Sequence, residues 1–222
     1  MDIKEILKKH LQPSFDGISE KDWKFASLIP DLKKVDKKEN ILRLRTSISD
    51  QGQLPSCTSN ATCDAFEQVN GDGVELSRLF VFWNSRPVKI LTGTSIRSAL
   101  DSIRKFGVPP EESWPYDPTN VNVKPPEETW KIAEKRKRTT YYRVTSRQDI
   151  IASIDAGWPI VFTIPLDEDF VTKNPEPDHV FMGRSLTNSF HTMMIVGYRI
   201  IDNECHFRIR NSWGKAWGDN GH

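Results

Sequence analysis

Apolar residues change their period part-way along the chain. Starting at Cys57, the residues Ala61, Ala65, Phe66 and Val69 recur at helical spacing and stop at Asn70-Gly71-Asp72-Gly73. Leu76, Leu79, Phe80 and Trp83 form the apolar face of a second predicted helix, which Pro87 ends. A third runs from about Ser95 to Phe106, between Thr92-Gly93-Thr94 and Gly107. Upstream, Ile3, Ile6, Leu7 and Leu11 predict one short amphipathic helix before Pro13, and ILRLRTS alternates like a short strand. Beyond residue 138 strand signals dominate: YYRVTS, WPIVFTI, FHTMMIVGYRI and CHFRIRNSW, interrupted by one helical stretch, DIIASIDAG. The Pro-rich PPEESWPYDPTNVNVKPPEE lies between the halves, and only packing of Trp114 and Tyr116 could order it. Helices first and strands later predict an α+β protein. The expected organisation is an extension over 1–30 and one domain over 31–222, with a helical lobe at about 50–118, a β lobe at about 138–222 and a cleft between them.

Composition narrows the function classes. The 222 residues carry a formal net charge of +1, which gives no footprint for nucleic acid or an anionic membrane. KIAEKRKR at 131–138 reads as a solvated helix face. No apolar run reaches the ~20 residues of a membrane span, and MDIKEILKKH has no apolar signal-peptide core. Three cysteines, Cys57, Cys63 and Cys205, are too few for a disulfide framework, so a cytoplasmic or other reducing compartment is expected, with delivery to a host cell or virion left open. Cys57 and Cys63 do not have zinc spacing, and no metal or cofactor is expected. Cys63 and Cys205 read as core fillers, and the Asn60-Ala61-Thr62 sequon as chance.

Cys57 stands where a helix begins, after Pro55 and a candidate cap, Ser56. A thiolate attacks carbonyls far better than a thiol, and a helix N-terminus with a nearby imidazole favours the thiolate. Of the five histidines, His10 lies in the extension, His179 in a Pro-rich loop, His206 inside a strand and His222 at the end. His191 opens the most hydrophobic strand, where its side chain would border a cleft. The next strand ends at Asn211, after a predicted turn near Asp202-Asn203. An uninterrupted hairpin would pair Asn211 with Met194, about 10 Å along the strand from His191, so contact demands a bulge or a longer turn.

QGQLPSC at 51–57, FHTMMIVGY at 190–198 and RNSWGKAWGDNG at 210–221 together resemble the three signature blocks of papain-like cysteine peptidases, in order. The interval from Cys57 to His191 falls within the ~130 to 150 residues described for that family, and Asn211 lies slightly beyond it. The resemblance, over about residue 31 to the end, implies a papain-like two-lobe fold and a cysteine endopeptidase acting on peptide or protein substrates. Cys57 would be nucleophile, His191 general base and acid, Asn211 the group orienting the imidazole, Gln51 an oxyanion donor, and Trp213 a cover over the His–Asn hydrogen bond. Gly93 and Thr94 would lie along the substrate main chain, and Ile96 and Phe190 would border an apolar pocket for the second residue before the scissile bond. Leu54, Pro55 and Thr58 depart from the family's Cys-Gly-Ser-Cys-Trp: Leu54 removes a disulfide cysteine, Pro55 deletes a backbone donor, and Thr58 is expected to open that side of the cleft. The wording also resembles the disulfide-poor bacterial and viral branch. The 1–30 extension would be a short zymogen prosegment or a structural tail, and GDNGH falls where the family continues with another strand. An inactive binding protein of this fold, or another Cys–His acyl transferase or amidase, remains the alternative.

Overall fold

The computed structural model describes residues 13, 16–20, 22–28, 37–86, 92–137, 140–167, 170, 180–181 and 186–222. The amphipathic helix expected at Ile3–Leu11 lies outside these residues, as do His10 and His179. Among the described residues five α-helices and four strands follow: β1 (Glu39–Ile41), α1 (Cys57–Asn70), α2 (Arg78–Ser85), α3 (Ile96–Phe106), α4 (Glu127–Glu134), α5 (Arg147–Asp155), β2 (Ile160–Asp167), β3 (Leu186–Ile201) and β4 (Glu204–Arg210). This is the α+β arrangement read from the change of period.

The helical lobe closes around Cys63, Phe66, Leu76, Val81, Ala99, Ile103 and Val108. Gly71 ends α1 at φ 71°, as Asn70-Gly71 implied. The expected one-sided face of α2 is corrected: Leu79, Phe80, Val81 and Phe82 are all buried, so the helix is wrapped on all sides. Wrapping comes from the Pro-rich loop, whose Trp114, Tyr116 and Val121 pack with Leu54, Leu79 and Phe82, and from Trp130 of α4 against Phe80, Trp83 and Phe106. Gly107 is obligatory at φ +79°, because a Cβ there would lie 1.9 Å from the Ala133 carbonyl oxygen.

In the β lobe, long β3 pairs antiparallel with β1, β2 and β4. Two expectations fail here. YYRVTS is not a strand: Arg143 makes only an isolated bridge to Lys24, since the neighbouring backbone belongs to the N-terminal segment rather than to the sheet. ILRLRTS contributes only the end of β1. The β3–β4 turn falls at Asp202-Asn203 as expected, with φ 50° at Asp202 and 64° at Asn203, and it has two residues rather than the longer turn that was one alternative.

The two lobes share a buried charge cluster. Arg78 Nη2 donates to Asp64 Oδ1 at 2.7 Å, and Arg210 Nε donates to Asp64 Oδ2 at 2.9 Å. Arg210 also donates to the Thr46 carbonyl at 3.1 Å and to the Ser47 carbonyl. Burial pushes the Glu67 carboxyl up to about 7, against the pull of Arg78. Asp64 thus ties α1 to α2 and to the end of β4. Replacing it by alanine leaves two buried guanidinium groups without their shared counter-charge, and Asp64→Ala is expected to lose about 3–5 kcal/mol of unfolding free energy in urea titration.

Candidate active site

Cys57 is the first residue of α1 and is fully buried. Ser56 occupies the cap position, but its hydroxyl does not cap the helix. It lies 2.5 Å from the Tyr116 hydroxyl and accepts from Asn60 Nδ2 at 3.0 Å. The diversion leaves the first turn of α1 without a side-chain cap beside the sulfur, and it commits Asn60 to the interior. Burial pushes the Cys57 thiol up. The Thr192 N–H opposes that shift most strongly, and the Thr58 N–H adds to it.

His191 and Asn211 meet: His191 Nε2 lies 2.8 Å from Asn211 Oδ1. An amide oxygen only accepts, so Nε2 carries the hydrogen and Nδ1 is the basic nitrogen of the neutral ring. Ser212 N–H donates to the same oxygen at 2.8 Å, and Asn211 N–H donates to the Gly221 carbonyl at 2.9 Å. Trp213 stacks on the imidazole with ring centroids 4.7 Å apart, and Phe170 packs edge-on against Trp213 at 5.5 Å.

A β-bulge makes the His–Asn contact. Beside the turn, Ile201 pairs with Glu204, but between Ile195 and Gly197 the register shifts, so Met194 pairs with Arg210. Val196 is the extra residue. Continuing that register by one residue sets Asn211 opposite Met193, two positions from His191 and on the same face of the sheet. Without the bulge Asn211 would oppose Met194 and face α1 instead. Alternation then explains the neighbouring residue: Arg210 turns toward α1 and Asp64 while Asn211 turns toward the imidazole.

Gln51 is fully buried and held at several points. Its Nε2 donates to the Leu54 carbonyl at 2.9 Å, its Oε1 accepts from Ser212 Oγ at 2.7 Å, and its N–H donates to the Ser212 carbonyl at 2.9 Å. Tyr116 Oη donates to the Gln51 carbonyl at 3.0 Å. Gly93 and Thr94 are buried, and Ile96 and Phe190 half-buried. Thr94 joins the centre through its carbonyl, which accepts from the Thr58 hydroxyl at 2.9 Å. Thr58 therefore does not open the cleft as expected: its side chain is buried and bridges the lobes. Cys63 is a core filler, Cys205 is half-buried, and all three cysteines are free thiols. Among the described residues no group of three or more His, Cys, Asp and Glu could hold a metal, and no helix is long and apolar enough to cross a membrane. Sequence reading missed Ser212, Tyr116, Thr58 and Thr192 as members of the centre. Adjacency to Asn211, Cys57 and His191 was the signal for Ser212, Thr58 and Thr192, whereas Tyr116 had none beyond its place in the Pro-rich loop.

The family model described as papain family cysteine protease matches residues 32–222. This chain belongs to that family. An uncharacterized peptidase C1-like protein of Acanthamoeba polyphaga mimivirus is 33% identical over 194 residues, covering 78% of this chain and 62% of its own length. Vignain from Phaseolus vulgaris is 26% identical over 194 residues, covering 80% of this chain and 50% of its own length. The chain thus spans roughly half to three-fifths of the curated relatives it matches. Among solved structures, Xylellain, a cysteine protease from Xylella fastidiosa, superposes with a TM-score of 0.82 at 28% identity, over 96% of this chain and 88% of that one. A recombinant stem bromelain precursor has the same fold, with a TM-score of 0.75 at 18% identity, over 100% of this chain and 72% of that one.

The hydrogen bond to Asn211 dictates a tautomer. Nitrogen NMR of the neutral ring should show His191 as the Nε2–H form, and Asn211→Ala should shift the ring toward a tautomer mixture.

Proposed function

We propose that the protein is a cysteine endopeptidase that hydrolyses peptide bonds through an acyl-enzyme. The observation that carries this reading is the His191–Asn211 hydrogen bond, which presents a basic Nδ1 in a centre that also holds a cysteine at a helix N-terminus. In the proposed cycle the Cys57 proton passes to His191 Nδ1, and the thiolate–imidazolium pair offsets the upward pull of burial. The sulfur attacks the scissile carbonyl carbon. Backbone N–H of Cys57 and the Gln51 side-chain amide donate to the oxyanion. The imidazolium then protonates the leaving amine, and a thioester remains. His191 next removes a proton from water, which attacks the thioester, releases the acid and regenerates the thiol. Trp213 shields the His191–Asn211 bond from water, and Asn211 orients the ring without adding a charge.

Gly93 and Thr94 are proposed to receive the substrate main chain, and Ile96 and Phe190 to border an apolar pocket. Three free thiols support a reducing compartment as the working location. The decisive test presents a peptide library to wild type, with and without a thiol-reactive epoxide, and to Cys57→Ala. Epoxide-sensitive cleavage absent from Cys57→Ala is expected, with Gln51→Ala lowering kcat by about 10²–10³. Binding without cleavage would identify an inactive binding protein, and transfer to an added amine in place of hydrolysis would identify an acyl transferase.

The N-terminal segment is proposed to act as a docked self-inhibitory element, because it is anchored beside the substrate strip. The Asp16 carboxylate accepts from the Arg97 N–H, in the first turn of α3, at 2.7 Å. Asp22 accepts from Arg97 at 2.9 Å and from Arg143 at 2.6 Å, while Trp23 packs on Tyr142 and Phe25 on Trp158. Burial alone would raise the Asp22 carboxyl; the Ser19 N–H and the two arginines outweigh it and hold the group at about 2. A lowered folded-state value stabilises docking above the ordinary 3.8, and the contribution is lost as pH falls through about 2. Mild acid therefore should not release the segment. Limited proteolysis is expected to find Asp16–Leu28 protected at pH 5, and Asp22→Asn to expose it at pH 7. Unchanged mass of both wild type and Cys57→Ala on incubation would rule out self-processing.

A further inference from the structure

Beneath the catalytic pair three threonine hydroxyls lie in line. Thr163 Oγ1 is 2.9 Å from Thr192 Oγ1, Thr192 Oγ1 is 3.1 Å from Thr58 Oγ1, and Thr58 Oγ1 is 2.9 Å from the Thr94 carbonyl oxygen. Thr163 and Thr192 are directly opposed on β2 and β3, so their side chains share the face that meets α1. Thr58 and Thr192 are fully buried.

The terminal acceptor fixes the direction of every bond. A carbonyl cannot donate, so Thr58 donates to Thr94. A hydroxyl has one hydrogen, so Thr58 must accept from Thr192, and Thr192 in turn from Thr163. The line joins the residue after Cys57 to the residue after His191, and ends on the loop before α3. We propose that this one-directional hydroxyl chain fixes the Cys57 end of α1 to the His191 end of β3 and to the Thr94 carbonyl, which makes Thr58 and Thr192 positioning residues of the catalytic pair.

The proposal rests on the peptidase reading above. Both hydroxyl hydrogens next to the sulfur are committed along the chain, so the chain acts on Cys57 through placement: it holds the Thr192 N–H against the sulfur. The three members differ in weight. Loss of the Thr192 hydroxyl cuts the only link between the lobes in this line. Loss of the Thr163 hydroxyl removes a donor at the far end and leaves the link from Thr192 to Thr94 intact.

Two readouts test this on wild type, Thr192→Val, Thr192→Ser, Thr58→Val, Thr163→Val and the double variant Thr58→Val/Thr192→Val. The first is kcat and KM on a fluorogenic peptide. The second is the iodoacetamide alkylation rate of Cys57, mapped by mass spectrometry, which does not require turnover. Thr192→Val is expected to lower kcat and the alkylation rate about tenfold with KM within about twofold, Thr192→Ser to restore both, and Thr163→Val to stay within about twofold. In the double variant the Thr94 carbonyl loses its donor just as in Thr58→Val, so its melting temperature should fall no further than that of Thr58→Val while its rates stay low. Wild-type rates in Thr192→Val, or losses that track melting temperature and are not restored by serine, would overturn the proposal. Absence of cleavage by wild type would overturn the peptidase reading alone, because alkylation still reports the positioning.

Discussion

One buried carboxylate holds the two lobes in register. Asp64, two turns into α1, receives Arg78 from α2 on one oxygen and Arg210 from the end of β4 on the other. Each lobe has a hydrophobic core of its own, and Asp64 bonds across the boundary between them. Ion pairs buried this deeply contribute little net stability compared with an apolar replacement, but they are highly specific about geometry. Here the geometry specified is the position of the residue after Arg210 relative to the first residue of α1.

That relation works because a strand turns alternate residues to opposite sides. Arg210 reaches the helix and Asn211 reaches the imidazole from one short stretch of backbone, and the bulge at Val196 decides which residue goes which way. The C-terminal loop reinforces the choice: the Gly221 carbonyl receives the Asn211 N–H, while Gly221 at φ +89° lies against Ile48 with no room for a side chain.

Much of this was legible in the chain and some was not. The three helices of the first lobe and the β3–β4 hairpin were legible from periodicity and from their Gly, Pro or Asn boundaries, although α1 and α2 bury far more than the one face that the pattern marked. Asn211 illustrates the limit: a regular hairpin puts it on the wrong face, and the demand for a bulge was visible while its location at Val196 was not, since nothing in IVGY distinguishes the extra residue. YYRVTS failed for a different reason. Its aromatic and β-branched residues suit a strand, but the partner edge it meets belongs to the N-terminal segment, and no local pattern reports which backbone lies alongside. Thr58 misled because only a size change against Trp was considered, whereas its hydroxyl has partners contributed by residues far away in sequence.

The hairpin can also be regarded as a ruler with a movable zero. The turn at Asp202–Asn203 lies at the far end of β3 and β4 from the imidazole, and its length sets only where the two strands begin to count. Below it every residue but the bulged Val196 counts once, and the parity of that count decides whether an amide or a guanidinium faces the catalytic ring. Residues inserted into the turn can loop out and leave the count unchanged, whereas a single residue gained or lost between the turn and Asn211 exchanges the two roles. For natural variation as for protein engineering, length change is admissible at the tip of this hairpin and forbidden along its sides.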